Sequence, residues 1–314
     1  MPRSKIKTSI SLKASTIAFA IFFQSLNGYA ENTSASKPTA DFEVSAGAEQ
    51  DSNLNVVELD KNSNKSDVAT LLNAKVDASW KPAEKLALSG GYAYTSKTYK
   101  ENDAYNLAIH QLSLDANYDF TLLTAGANYN NAKAILDGKS FLDLQQNSFY
   151  LAKLINNKIY LRAAVNNQEK RFSGLSERNA KNTGFAGDFF VFSNSGKTFV
   201  NFGVSNEKEH ARAKQFDYDG INVKAKASHK FELMGKENKV QAGYRYLKRD
   251  YSGITPEINA KRYDTGNIAE ASWEISFTPK ISLETKLERG KYKSNLEAAD
   301  YSETRASLLL KARF

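Results

Sequence analysis

Ser302-Glu303-Thr304-Arg305-Ala306-Ser307-Leu308-Leu309-Leu310-Lys311-Ala312-Arg313-Phe314 is the stretch whose pattern decides the fold. Counting back in twos from Phe314 gives Ala312, Leu310, Leu308, Ala306 and Thr304, all apolar or neutral. The other parity gives Arg313, Lys311, Leu309, Ser307, Arg305 and Glu303. A period of two marks a β-strand with one apolar and one wet face. The other strands read as a wall built to meet this one.

At the opposite end, Met1 to Ala30 reads as a secretory signal. Arg3, Lys5, Lys7 and Lys13 form its basic start, Ala14 to Phe23 its apolar middle, and Gly28-Tyr29-Ala30 a small-residue cleavage site. An apolar run of about ten residues falls short of the roughly 20 that span a bilayer as a helix. No later segment is apolar for long enough either, so membrane residence requires a closed sheet. The formal charge of +8 includes the four leader cations, with no acid beside them, which leaves +4 on residues 31–314. That balance is too mild to suggest nucleic acid. The absence of cysteine excludes a disulfide framework and thiolate chemistry.

Residues 31–40 form a short polar lead-in expected on the periplasmic side, and 41–314 the barrel domain. Alternating runs are predicted near 41–50, 68–80, 86–98, 108–119, 121–131, 144–155, 159–168, 183–193, 198–206, 220–232, 239–250, 265–277, 281–289 and 302–314. Short turns follow every second run, with longer polar loops expected at 51–67, 100–107, 131–143, 167–181, 206–218, 251–264 and 290–301. Tight connections on one rim and long ones on the other are expected of an outer-membrane barrel. The fold class is therefore all-β, a transmembrane antiparallel up-and-down barrel of about 14 strands, with a soluble periplasmic all-β domain as the alternative.

The parity is clear in several runs. Thr70, Leu72, Ala74, Val76, Ala78 and Trp80 oppose Leu71, Asn73, Lys75, Asp77 and Ser79, and Ile221, Val223, Ala225 and Ala227 oppose Asn222, Lys224, Lys226 and Ser228. The apolar parity ends in an aromatic beside a short turn at Trp80, Tyr118, Phe120, Phe231, Phe277 and Phe314. Aromatics at one depth make an interfacial girdle. The run 144–155 alternates poorly, because Phe149 and Leu151 share a parity with polar residues, so its register stays open.

Fourteen strands enclose more space than the eight that side chains can fill. The inward parity predicts a wet lumen lined on the basic side by Lys75, Arg162, Lys224, Lys226, Lys230, Arg245, Lys286, Arg305, Lys311 and Arg313. On the acidic side it predicts Asp77, Asp115, Asp119, Asp188, Glu270, Glu274, Glu284 and Glu288. Lys224, Lys226 and Lys230, with Arg245 on the next strand, are expected to act as one basic wall and give a modest anion preference, because neighbouring inward positions lie within about 7 Å.

With its leader and terminal Phe314, the chain resembles bacterial outer-membrane barrels in general. Arg249-Asp250-Tyr251-Ser252-Gly253, Pro256, Arg262-Tyr263-Asp264, Lys293-Ser294-Asn295 and Asp300-Tyr301 are similar to the end of the barrel domain of surface lipoprotein assembly modifiers. Ala46 to Asn55 resembles that domain's opening strand and first loop. The resemblance implies a Gram-negative outer-membrane location, fourteen strands, and help in moving a lipoprotein to the surface. Its helical-repeat domain has no counterpart in the ten residues before the barrel. Outer-membrane lipid and lipopolysaccharide are then the expected surroundings, the barrel-assembly machinery the partner that reads Phe314, and an exported lipoprotein a further one. A simple pore for small hydrophilic solutes is the leading expectation, with export and hydrolysis as alternatives.

Catalysis finds little support. Gly138-Lys139-Ser140 and Gly196-Lys197-Thr198 lack the phosphate-loop glycine five positions earlier, where Lys133 and Val191 stand. His110, His210 and His229 have no zinc-ligand spacing, so no catalytic, metal or cofactor residue is expected.

Overall fold

The computed structural model describes residues 36–193 and 196–314. The signal-peptide reading, and the lead-in as far as residue 35, lie outside the described residues. Fourteen strands form one closed antiparallel barrel in which each pairs with its sequence neighbours and the last with the first. They are β1 (Ser36–Asp51), β2 (Asp67–Ala83), β3 (Leu86–Tyr99), β4 (Leu107–Asp119), β5 (Thr124–Leu136), β6 (Lys139–Ile155) and β7 (Ile159–Phe172). The remainder are β8 (Ala180–Ser193), β9 (Thr198–Ala211), β10 (Tyr218–Leu233), β11 (Lys236–Thr255), β12 (Ala260–Ser276), β13 (Ile281–Ser294) and β14 (Tyr301–Arg313). Among the described residues no helix is long and apolar enough to cross a membrane; the strands do the crossing.

The period-two pattern decides which way each side chain points. Leu72, Val76, Leu114, Val200, Phe202, Leu308 and Leu310 are exposed on the outer face, while Gln111, Asn201, Glu284 and Lys311 are buried toward the lumen. Trp80, Tyr118, Phe120, Phe277 and Phe314 are all exposed at the short-turn rim, as a girdle requires. In β6, Phe149 and Leu151 face outward and Gln146, Ser148, Tyr150 and Ala152 inward, which settles the open register.

Closure depends on β1 meeting β14, through an unbroken register from Glu43↔Arg313 to Asp51↔Arg305. Phe42 and Phe314 exchange both backbone hydrogen bonds, N–H to O distances being 3.2 and 2.9 Å, and their rings lie 6.1 Å apart. Arg313 adds a bond from Nε to Glu43 at 2.7 Å. Gly47 lets the seam draw tight, since a Cβ there would sit 1.9 Å from the Leu308 carbonyl oxygen.

Three expectations need correction. First, β1 begins at Ser36, so the second half of the lead-in is wall, pairing Ala40 with Ala78. Second, most of the supposed long loops are strand. The 131–143 segment is a hairpin closed by Asp137-Gly138, both at positive φ (49° and 71°), as a tight two-residue turn requires. Within 206–218, β9 continues to Ala211, and His210 lies on it rather than in a loop. The wall stands above the apolar band because each strand still finds a neighbour to satisfy its backbone groups. Third, only the first outer connection, residues 52–66, is long.

Adjacent positions 271 and 272 test the two faces. Ala271→Lys puts a cation against hydrocarbon at a cost of about 2–4 kcal/mol, whereas Ser272→Lys points into the lumen and should be tolerated. Urea unfolding of the reconstituted barrel, followed by heat-modifiable gel mobility, reads the difference; equal loss from both would refute the assigned faces.

Candidate functional site

Strands about 4.8 Å apart and tilted by about 40° make a fourteen-strand wall about 28 Å across between backbones. Charges line that space in pairs. On one side Tyr150 donates to both oxygens of Asp115, at 3.0 and 3.1 Å, and Arg162 lies 4.5 Å over the Tyr150 ring. Arg162 meets Asp188 at 3.7 Å, and Lys224 meets the same carboxylate at 2.9 Å. The series continues with Lys226 on Glu270 (3.3 Å), Lys286 between Glu270 (2.7 Å) and Glu288 (2.9 Å), and Arg305 between Glu288 and Glu303. Lys97 closes it against Glu49 and Asp51, at 2.7 and 2.9 Å. Nearer the short turns, Lys311 pairs with Glu274 and Glu284, Arg313 with Glu43 and Glu274, Lys75 with Asp77 at 2.6 Å, and Lys230 with Glu237 at 3.1 Å.

The predicted lining residues other than Asp119 thus face inward, but the basic ladder does not act as one wall. Lys224 and Lys226 each reach over one neighbour to an acid two strands away, Asp188 and Glu270, and Lys230 meets Glu237 on the adjacent β11. Arg245 sits opposite Lys224 in the register of β10 and β11. Asp119 is exposed at an inner turn, where it accepts from the Thr121 N–H at 2.6 Å. The positive potential that a free ladder would add is therefore cancelled locally.

The second departure lies at the outer mouth. Residues 52–66, here loop 1, fold into the barrel as a small ribbon, Asn55↔Asn62 and Val56↔Lys61, with a 3-10 turn at Val57–Leu59 and Asp60 in the left-handed region (φ 54°). Leu54 anchors its base by packing, fully buried, with Ala69, Tyr99 and Tyr105. Val56 and Leu59 pack on Ile109, Ala132, Ala134, Phe141, Leu142, Leu144 and Phe172 of β4–β7. These inward apolar residues depart from the wet lining expected of the lumen; loop 1 covers them with Val56 and Leu59.

The ionic end of loop 1 points the other way. Asp60 Oδ1 accepts from Arg262 Nη2 on β12 at 2.7 Å, and Oδ2 from Arg178 Nη2 after β7 at 2.8 Å. Arg178 Nη1 also donates to the Glu58 carbonyl at 2.8 Å, and Asn55 donates to Glu303 on β14. In a ring of fourteen, β5 and β12 are opposite, so loop 1 bridges the full diameter. Burial would raise the Asp60 carboxyl, but Arg262 and Arg178 outweigh it and hold the group below its ordinary value. Burial pushes Glu58 up against the weaker pull of Lys170 and Arg249.

Sequence reasoning missed Glu49, Asp51, Lys97, Lys170, Glu207, Glu209, Arg249, Arg262 and Glu303 on the inner wall, and Glu58, Asp60 and Arg178 in loops. Most of the former fell inside supposed loops. Their alternation was the available signal: Glu207 and Glu209 face inward while Lys208 and His210 are exposed.

No family model and no curated protein matches the chain. Among solved structures it is similar to OmpT, an outer membrane protein of Vibrio cholerae, in a trimer form (TM-score 0.54, 11% identity, 89% of this chain and 100% of that one). A loop-deletion mutant of the same protein gives TM-score 0.52 at 11% identity, covering 88% and 99%. An anion-selective porin from Comamonas acidovorans follows at TM-score 0.48 and 9% identity, covering 88% and 99%. At these identities the likeness to the Vibrio protein shows the fold, that of outer-membrane barrels.

Two outcomes follow. Lys311 is 2% exposed between two carboxylates, so Lys311→Met should destabilise the barrel by about 3–5 kcal/mol, read by urea unfolding in liposomes. The pH dependence of loop docking has two limbs. Glu58 is raised when docked, so its contribution is complete below about pH 4.5 and is lost as pH rises through the raised value; Asp60 is lowered, so its contribution is present above about pH 3.8 and lost in stronger acid. Docking should be firmest near pH 4 and loosen as pH rises above about 4.5, and Glu58→Gln should abolish the upper limb. Hydrogen exchange of residues 54–63 against pH is the measurement.

Proposed function

We propose that this protein is an outer-membrane channel for small hydrophilic solutes, narrowed at its outer mouth by loop 1. The observation that supports this reading is a wide barrel whose inner wall carries ion pairs around most of its circumference, apart from apolar patches on β4–β8, crossed by one inward-folded loop. Buried isolated charges cost several kcal/mol, so a dry interior would not hold this many; water in the lumen makes them affordable. Because Lys224, Lys226 and Lys230 are paired, the channel's ion preference is weak, and the anion bias expected from a free ladder is small.

We assign the channel no catalytic role. His110 and His229 lie on the outer face, bonded to Tyr92 and Thr198 at 2.7 Å each, away from the lumen charges. Export of a lipoprotein, which the resemblance to surface lipoprotein assembly modifiers implies, would need a wider passage than loop 1 leaves in its docked position.

Planar-bilayer recording tests the reading. The native protein should give small unitary currents with a reversal potential close to zero in a salt gradient. Replacing residues 54–63 by a short glycine-serine turn should raise unitary conductance several-fold. Silence from both proteins, together with loss of a surface lipoprotein on deletion of the gene, would replace the channel by the export reading.

A further inference from the structure

The groups that hold loop 1 are built to outlast its departure. Arg178 lies 4.2 Å over the Phe216 ring, Arg262 4.7 Å over Tyr251, Arg249 4.8 Å over Tyr218, and Lys170 5.8 Å over the same Tyr218. Each of the four cations is fixed by an aromatic face outside loop 1, and such stacking orients a guanidinium without neutralising it. Arg262 is also bonded to Asp264 at 2.7 Å, and Lys170 to Glu209. Positioned donors of this kind form a preorganised anion site, because little ordering is left to be done on binding.

Loop 1 already occupies that site with carboxylates. Asp60 is gripped by two guanidiniums, one on each oxygen. Two residues earlier, the Glu58 carboxylate accepts from its own backbone N–H and feels the charges of Lys170 and Arg249, without an ion-pair contact to either. The Tyr301 hydroxyl beside it is buried and has no hydrogen-bond partner among the described residues. When loop 1 withdraws, these four cations are left with three wall carboxylates, Glu207, Glu209 and Asp264, an excess of one positive charge among them.

Building on the channel reading, we propose that the outer mouth is a binding site for a short dicarboxylate, filled by Glu58 and Asp60 of loop 1 until such a solute takes their place. One carboxylate of the solute takes the Arg178–Arg262 clamp and the other the Lys170–Arg249 side, within reach of the idle Tyr301 hydroxyl. A tethered carboxylate has an effective concentration in the millimolar range, so displacement by a free one needs about 1–10 mM. A monocarboxylate satisfies only one of the two sides and should need at least about tenfold more.

The chain has no cysteine, so Ser63→Cys in loop 1 and Glu257→Cys at the exposed β11–β12 turn can carry a pair of spin labels. In the reconstituted protein, succinate at about 1–10 mM should lengthen and broaden the label distance, with acetate requiring more and glucose doing nothing. Asp60→Asn should show the long distance without succinate. In Arg178→Gln/Arg262→Gln the loop should be undocked and succinate should no longer change either the distance or the single-channel current. A distance unmoved by 100 mM succinate, or moved equally by chloride of matched ionic strength, overturns the site. If the distance responds but no current flows in any variant, the channel reading falls and the site stands; if current flows but the distance is unmoved, the reverse holds.

Discussion

Everything in this structure follows from the cost of an unpaired peptide group in hydrocarbon. Each N–H or C=O left open there costs several kcal/mol, so a sheet that crosses the membrane must close. The β1–β14 seam is where that requirement falls hardest, because its partners are 270 residues apart at the Arg313–Glu43 pair. Gly47 permits the close approach, the Phe42–Phe314 exchange finishes the ladder at the inner rim, and Arg313 ties the same point electrostatically. The outward apolar parity then needs no further cause: lipid covers it.

Closure with fourteen strands creates a second problem, an interior too wide for side chains to fill by themselves. The inner wall meets it with ion pairs that step over one strand, as in Lys226 to Glu270 or Lys97 to Glu49. Such pairs keep long side chains flat against the wall, because each cation is pulled sideways along the circumference instead of out into the lumen. They also set a weak net field, since the same bonds that immobilise the lysines cancel their charge. In the proposed channel, local pairing would therefore leave discrimination among solutes to the mouth.

The sequence shows the strands and their faces because period two is a local property, readable within a dozen residues such as Ala269 to Phe277. Of the eighteen inward charges named from the sequence, all but Asp119, which is exposed at an inner turn, lie on the inner wall for the same reason. Pairing is not local: nothing near Lys224 announces Asp188, which is 36 positions away and faces it only once β8 and β10 flank β9. The outer strand extensions were hidden by composition, since Glu-Lys-Glu-His at 207–210 looks like loop although its alternation persists. Loop 1 was the hardest to foresee. Its inward fold is signalled only jointly, by Leu54, Val56 and Leu59 within a polar connection and by apolar residues such as Leu142, Leu144 and Phe172 on a wall that should be wet.

The two ends of loop 1 differ in kind, and that difference decides how it can move. Val56 and Leu59 lie on the apolar patch of β4–β7, a contact indifferent to salt and pH over the ordinary range. Asp60 is held to Arg178 and Arg262 by charge, and the nearby Glu58 is held against its own burial. A competing anion, or deprotonation of Glu58, weakens only the second end. Leu59 sits between Glu58 and Asp60, so loss of the ionic contacts leaves the loop held only by the packing of Leu54, Val56 and Leu59. In the proposed site the cations that fasten loop 1 are also those that would hold the solute, so recognition and gating would rest on the same four side chains.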